Sequence, residues 1–119
     1  RLLGTYTLDD AVSLTRCVVQ GQLRAGAGCA ATIEQCCFKA ANAASIAVVE
    51  TGRPVIRNNE FLDTEHVGAA VEFRDQSTGV LTENTFRGHG SVAVVVSDSA
   101  VPAISKNVWQ GCHCGLQIS

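Results

Sequence analysis

Pro54-Val55-Ile56-Arg57-Asn58-Asn59-Glu60-Phe61 and Gly79-Val80-Leu81-Thr82-Glu83-Asn84-Thr85-Phe86 carry one pattern twice. An aliphatic residue is followed by two others, then Asn, one other and a large apolar residue. The pattern recurs as Ile104-Ser105-Lys106-Asn107-Val108-Trp109. With Cys in place of Asn it also reads as Leu14-Thr15-Arg16-Cys17-Val18-Val19 and Ile33-Glu34-Gln35-Cys36-Cys37-Phe38. Anchor to anchor the spacings are 19, 23, 25 and 23 residues. Agreement extends outward from the last three anchors. Thirteen residues before each lie Ile46, Val71 and Val94; eleven before lie Val48, Phe73 and Val96; nine before lie Glu50, Asp75 and Asp98; five before lie Pro54, Gly79 and Pro102. Self-similarity at such a period marks a repeat architecture in which each unit buries its apolar face against the next.

Apolar residues at i and i+2 mark short strands with alternate side chains inward, and the Pro and Gly positions punctuate the turns between them. A strand of this kind pairs with its equivalent one repeat later, in parallel and about 4.8 Å away. The expected fold is therefore all-β: a right-handed parallel β-helix, a solenoid of about five coils with 19–25 residues per coil. Stacking of the repeats puts Phe38, Phe61, Phe86 and Trp109 in one interior column. Asn59, Asn84 and Asn107 form a second column, in which each amide can donate to the next carbonyl and to turn backbone. Cys17 and Cys36 take that place in the early coils, where a thiol is apolar enough to be buried. Residues 1–16 are less regular and are expected to cap the stack, since terminal repeats of solenoids are atypical. All 119 residues are read as a single β-helix domain. The start at Arg1 and the absence of Met suggest a piece of a larger protein.

The segment from about Val48 to Ser119 resembles the β-helical modules called carbohydrate-binding and sugar-hydrolysis (CASH) domains, of the pectin-lyase-like superfamily, notably those in F-box ubiquitin-ligase subunits. In that family a Pro-x-Ile-x-x-Asn coil alternates with a Gly-x-Leu-x-x-Asn coil, with a Gly-x-x-Val/Ile-x-Val strand between. Pro54 to Phe61 is similar to the first kind, Gly79 to Phe86 to the second, and Pro102 to Trp109 returns to the first. Gly68 to Phe73 and Gly115 to Ile118 are similar to the intervening strand, while Ser91 replaces the glycine in the coil between. The resemblance implies an architecture; the same coil serves lyases, hydrolases, epimerases and non-enzymatic modules, and fold does not assign function.

Nine basic against eleven acidic residues give a net charge of −2, which offers no electrostatic footprint for phosphate backbones and argues against nucleic acid. No apolar run is long enough to cross a bilayer. Six cysteines scattered among apolar positions are expected to be reduced, which places the protein inside the cell, in the cytoplasm.

Two side-chain columns are candidates for chemistry. His66, His89 and His113 each precede Gly68, Ser91 and Gly115 by two residues, so all three histidines share one register and form a candidate surface ladder for binding. Cys112-His113-Cys114 does not have the spacing of a zinc knuckle, and no metal or cofactor is expected. Glu50, Asp75 and Asp98 form an acidic turn ladder. Stacked carboxylates can bind Ca²⁺ or act as acid and base on a sugar, but Asp and Glu at turns also cap backbone N–H groups. The turns are too short to wall a sugar cleft, so no catalytic residue is assigned. Gly88-His89-Gly90-Ser91 lacks the Gly-x-Ser-x-Gly order of a nucleophile elbow, and Arg53, Arg57, Arg74 and Arg87 are interleaved with acids. The expected function is a non-enzymatic module that recognises a protein partner. The alternatives are a carbohydrate-binding or carbohydrate-active β-helix and an assembly element whose open end coils self-associate.

Overall fold

Alternating side chains over three to five residues produce strands too short to stand alone, and the fold is the stacking of such strands. A computed structural model describes residues 2–8, 12–39, 44–62, 69–88, 92–111 and 114–118. The chain enters through β1 (Leu2–Thr7), β2 (Ser13–Thr15) and β3 (Val18–Ala25), and then winds in triplets. These are β4 (Thr32–Glu34), β5 (Cys37–Phe38) and β6 (Ile46–Val48); β7 (Val55–Arg57), β8 (Glu60–Leu62) and β9 (Val71–Phe73); β10 (Val80–Thr82), β11 (Thr85–Arg87) and β12 (Val92–Val96); and β13 (Ala103–Ser105), β14 (Val108–Gln110) and β15 (Cys114–Ile118). No helix occurs among the described residues, and so none is long and apolar enough to cross a membrane.

Every pairing is parallel and links equivalent strands of successive repeats. One sheet runs β13-β10-β7-β4-β2. The other has ten strands in the order β14-β11-β8-β5-β3-β6-β9-β12-β15, with β1 on β3. The register joins the sequence anchors: Leu14↔Ile33↔Ile56↔Leu81↔Ile104, Phe38↔Phe61↔Phe86↔Trp109 and Ile46↔Val71↔Val94. The five coils expected from sequence are the five rungs of the smaller sheet, and they enclose about four complete turns.

From Leu23 onward, coil length varies at one corner only. From the inward residues Leu23, Ile46, Val71 and Val94 to Phe38, Phe61, Phe86 and Trp109 the count is fifteen each time. The return from the aromatic position to the next inward residue takes four residues after Val19, eight after Phe38, ten after Phe61 and eight after Phe86. The four-residue return keeps Val19 and Leu23 on the single strand β3. Its first half pairs with β5 and its second half with β6, so the sheet forks from β3 as the corner widens. On the outer side of β3, Gly21 lies opposite Gly4 of β1, and a Cβ on Gly21 would collide with the Gly4 carbonyl. The close approach explains Gly21, whereas Gly4 has open space for a Cβ and is accounted for by its φ of 97°.

Inward side chains fill the coil. Leu23, Ile33, Ile46, Val48, Ile56, Val71, Phe73 and Leu81 are fully buried, each contributing about 1.5–3 kcal/mol through removal of apolar surface from water. The aromatic column stacks face to face: ring centroids are 4.6 Å apart for Phe38–Phe61, 4.7 Å for Phe61–Phe86 and 4.8 Å for Phe86–Trp109. These distances are the strand spacing itself, which overrides the usual offset preference of aromatic pairs. Trp109 departs from the interior position expected for it. It continues the column, but one face is open and it remains 37% exposed. Val108, Leu116 and Ile118 of the same end coil are exposed too.

Candidate functional site

Besides the corner of variable length, each coil turns at two bends, and both are made by a single residue in the left-handed region. At the first bend Arg16, Gln35, Asn58, Glu83 and Lys106 have φ between 54° and 58°, each immediately before the Cys or Asn anchor; at the second, Glu50, Asp75 and Asp98 have φ of 55°, 58° and 58°. Such a residue without a glycine is strained by about 1–2 kcal/mol, so neighbouring interactions must hold it. It also turns its N–H away from the strand ladder, and these donors need acceptors from elsewhere.

At the first bend the left-handed residue donates to the backbone of the next coil, Asn58 N–H to Thr82 O at 3.3 Å and Glu83 N–H to Ser105 O at 3.4 Å, and the Asn column accepts the N–H of the anchor that follows it. Asn84 Oδ1 accepts the Asn59 backbone N–H at 2.9 Å and Asn59 Nδ2 at 3.0 Å, and Asn107 Oδ1 accepts the same two groups of Asn84 at 3.0 and 3.1 Å. The Asn59, Asn84 and Asn107 carboxamides also donate to the carbonyls of Ile33, Ile56 and Leu81, each at 3.0 Å. Asn59 Oδ1 closes the ladder by accepting the Cys36 N–H at 3.0 Å. In the early coils a thiol replaces the carboxamide. Cys17 Sγ donates to Thr15 O at 3.5 Å, while Cys36 Sγ is shared between Glu34 O at 3.3 Å and Leu14 O at 3.7 Å. Burial pushes the Cys36 thiol pKa up, with the neighbouring Cys17 acting on it as well; burial and then the Glu60 charge push Cys37 up.

At the second bend the acidic column accepts the N–H of the left-handed residue itself. Asp75 Oδ2 accepts the Glu50 N–H at 2.7 Å, and Asp98 Oδ2 accepts the Asp75 N–H at 3.2 Å. Each carboxylate therefore holds the strained residue of the coil before it. Further round, Gly28 N–H donates to Thr51 Oγ1 at 3.0 Å. A shallow groove lined by Glu50, Thr51, Asp75, Gln76, Asp98 and Ser99 follows this bend, and a second one follows the Asn bend.

The outward carboxylates of the sheets are paired. Glu34 contacts Arg57 at 3.0 Å, Glu72 contacts Arg74 at 2.9 Å and Glu60 contacts Arg87 at 3.3 Å. These exposed pairs contribute little to stability, but they leave the sheet faces covered by balanced charge. Among the described residues no group of three or more His, Cys, Asp or Glu is placed to hold a metal.

His66, His89 and His113 lie outside the described residues. The strands beside them bear on the count that aligned them. Val92 pairs with Cys114 and Val94 with Leu116, so Gly115 is level with Ala93 and not with Ser91. The match of Gly115 to the glycine of the earlier strands is thus two residues out of register. Gly115 has a different reason to be glycine: the Trp109 indole lies 2.8 Å from where its Cβ would be. Sequence reasoning also passed over the left-handed column itself. Its signal was a long polar residue directly before every anchor.

Among curated proteins and among solved structures no match to this chain is found. A family model described as a right handed beta helix region matches residues 5–119, in agreement with the continuous parallel pairing from β1 to β15. The chain therefore belongs to the right-handed β-helix family.

Proposed function

We propose that this β-helix is a non-enzymatic interaction module of the CASH, pectin-lyase-like type, which recognises a protein partner in the cytoplasm as the modules of F-box proteins do. The observation that carries this reading is the engagement of the carboxylates. Asp75 and Asp98 accept backbone N–H groups of the preceding coil, and Glu34, Glu60 and Glu72 are matched to arginines. Glycoside hydrolysis needs two carboxyl groups facing each other across a sugar. In place of such a pair the described surface offers flat rows of balanced charge beside shallow grooves, a relief suited to an extended protein surface. The second alternative, carbohydrate binding, wants exposed aromatic platforms. Tyr6 and Trp109 are the exposed aromatics among the described residues, and Trp109 belongs to the end of the core column.

The test runs the purified chain against a polysaccharide array and, in parallel, measures by calorimetry its affinity for proteins recovered by proximity labelling. The reading predicts a discrete partner whose binding weakens at least tenfold in Arg57→Glu/Arg87→Glu. Glycan binding, or release of reducing or unsaturated ends from a polysaccharide, would replace it with the carbohydrate reading.

The exposed apolar side chains of Val108, Trp109, Leu116 and Ile118 favour a further role, self-association through the end coil, because an uncovered strand edge invites pairing. Light scattering over a hundredfold range of concentration tests it. A rise in mass that Trp109→Glu/Ile118→Lys abolishes is expected, and a constant monomer mass excludes it.

A further inference from the structure

The Asn ladder is missing where the first coil meets the second, and two thiols stand there. Register places them level with each other: Thr15 pairs with Glu34, Val18 pairs with Cys37, and the Cys37 N–H donates to Cys17 O at 2.9 Å. Equivalent residues on adjacent parallel strands are about 4.8 Å apart, inside the Cα–Cα window of about 4.4–6.8 Å for a disulfide. The two side chains also point the same way. Each thiol donates to the carbonyl two residues before it, Thr15 O for Cys17 and Glu34 O for Cys36, and Cys36 Sγ leans down to Leu14 O of the first coil. In later coils the same positions carry carboxamides 3.0–3.1 Å apart. The other described thiols do not share this column: Cys29 is buried at the opposite bend, Cys37 faces outward between Val18 and Glu60, and Cys114 lies on β15.

We propose that Cys17 and Cys36 form a reversible disulfide that staples the first coil to the second, in the place where later coils use the Asn ladder. Access sets the order of events. Cys17 is half-buried in the groove beside Arg16 and Gln35, whereas Cys36 is 3% exposed. With a low-molecular-weight disulfide such as glutathione disulfide as oxidant, the Cys17 thiolate attacks one sulfur and releases one glutathione thiolate. Cys36 then loses its proton and attacks the Cys17 sulfur of the mixed disulfide, displacing the second glutathione. The protein loses two hydrogens, and the oxidant is reduced to two thiols. The bond encloses one coil, and stabilisation follows from loop closure. The in-register geometry requires the two Cβ atoms to approach by about 1 Å relative to the strand spacing, so the bond is expected to be readily reduced.

The experiment incubates the folded chain with glutathione disulfide, quenches in acid, alkylates the remaining thiols and maps peptides after trypsin and Glu-specific cleavage, which separate residues 17–24, 25–34 and 35–39. Wild type and Cys37→Ser are expected to yield the cross-linked 17–24/35–39 peptide and to melt about 5 °C or more higher than when reduced. Cys17→Ser and Cys36→Ser should yield neither. Glutathionylation that stops at the mixed disulfide, cross-linking abolished by Cys37→Ser, or a cross-linked peptide without a rise in Tm would each overturn the proposal. Wild type and Cys37→Ser keep both proposed partners, so the outcome does not depend on whether the Cys36 variant folds.

Discussion

Asn84 Oδ1 accepts two hydrogen bonds from one residue of the coil before it, the backbone N–H and the Nδ2 of Asn59, at 2.9 and 3.0 Å. Asn84 Nδ2 in turn donates back to Ile56 O and forward to Asn107 Oδ1. One fully buried carboxamide thus joins three successive coils. Asn84→Ala leaves the buried Asn59 N–H without its acceptor, at about 1–3 kcal/mol, and removes the side-chain bonds to Asn59 Nδ2, Ile56 O and Asn107 Oδ1 as well. Urea unfolding should show a loss of about 3 kcal/mol or more for Asn84→Ala. Asn107→Ala, at the half-exposed end of the ladder, should lose about half as much.

Asp75 combines two tasks, a left-handed backbone and an acceptor for the Glu50 N–H. Asp75→Asn keeps an oxygen in place and tolerates the conformation, so a cost below about 0.5 kcal/mol is expected. Asp75→Ala lacks both properties and should cost about 1–2 kcal/mol, as for loss of a helix cap. Amide exchange of Glu50 reads the mechanism: its protection should fall in Asp75→Ala and persist in Asp75→Asn.

Ser77 is fully buried, and among the described residues its hydroxyl has no partner. Its equivalents in the other coils are Cys29, Gly52 and Ala100, none of which brings a hydroxyl. Ser77→Ala removes an unsatisfied group while leaving the Cβ, and thermal unfolding should show a Tm equal to or above that of the wild type. A drop of several degrees would mean that the hydroxyl is bonded through a trapped water.

Burial raises the Cys36 pKa in the folded chain, and this fixes the sign of a pH effect. Below the ordinary thiol pKa of about 8.5 the thiol is neutral in both states and its contribution is fully present. As pH rises beyond that value the unfolded chain ionises first, and stability is lost until the raised folded value is passed. Chemical denaturation between pH 8 and 10.5 should therefore show a downward slope, and Cys36→Ser should make it shallower.

The strands and interior columns were legible because one inward position carries Ile33, Ile56 and Leu81 and another carries Phe38, Phe61 and Phe86, and the period between them survives the change in coil length. The fork at β3 was less visible. It follows from the four residues between Val19 and Leu23, and a short spacing alone does not say which corner has narrowed. The ion pairs Glu34–Arg57 and Glu60–Arg87 could be recognised only once the register was known, since their partners are 23 and 27 residues apart. The acidic column and its use as a turn cap were both legible in sequence, and Asp75 and Asp98 do cap backbone N–H groups; that each caps the coil before its own was not. Whether a stacked carboxylate serves a ligand or a backbone N–H depends on the φ of the residue one coil earlier, and among the described residues eight that are not glycine take a conformation that most side chains avoid.

The central claim is that Asp75 and Asp98 hold the bend and leave no cation site. Calcium titration of the purified chain, followed by thermal unfolding in wild type and in Asp75→Asn/Asp98→Asn, tests it directly. A ligand at a hundredfold excess over its Kd stabilises by about 2.7 kcal/mol, which for a domain of this size is a rise of several degrees. The account predicts a shift below about 1 °C at 5 mM Ca²⁺ in both proteins. A rise of several degrees in the wild type that disappears in the double variant would contradict it and make the acidic column a calcium site.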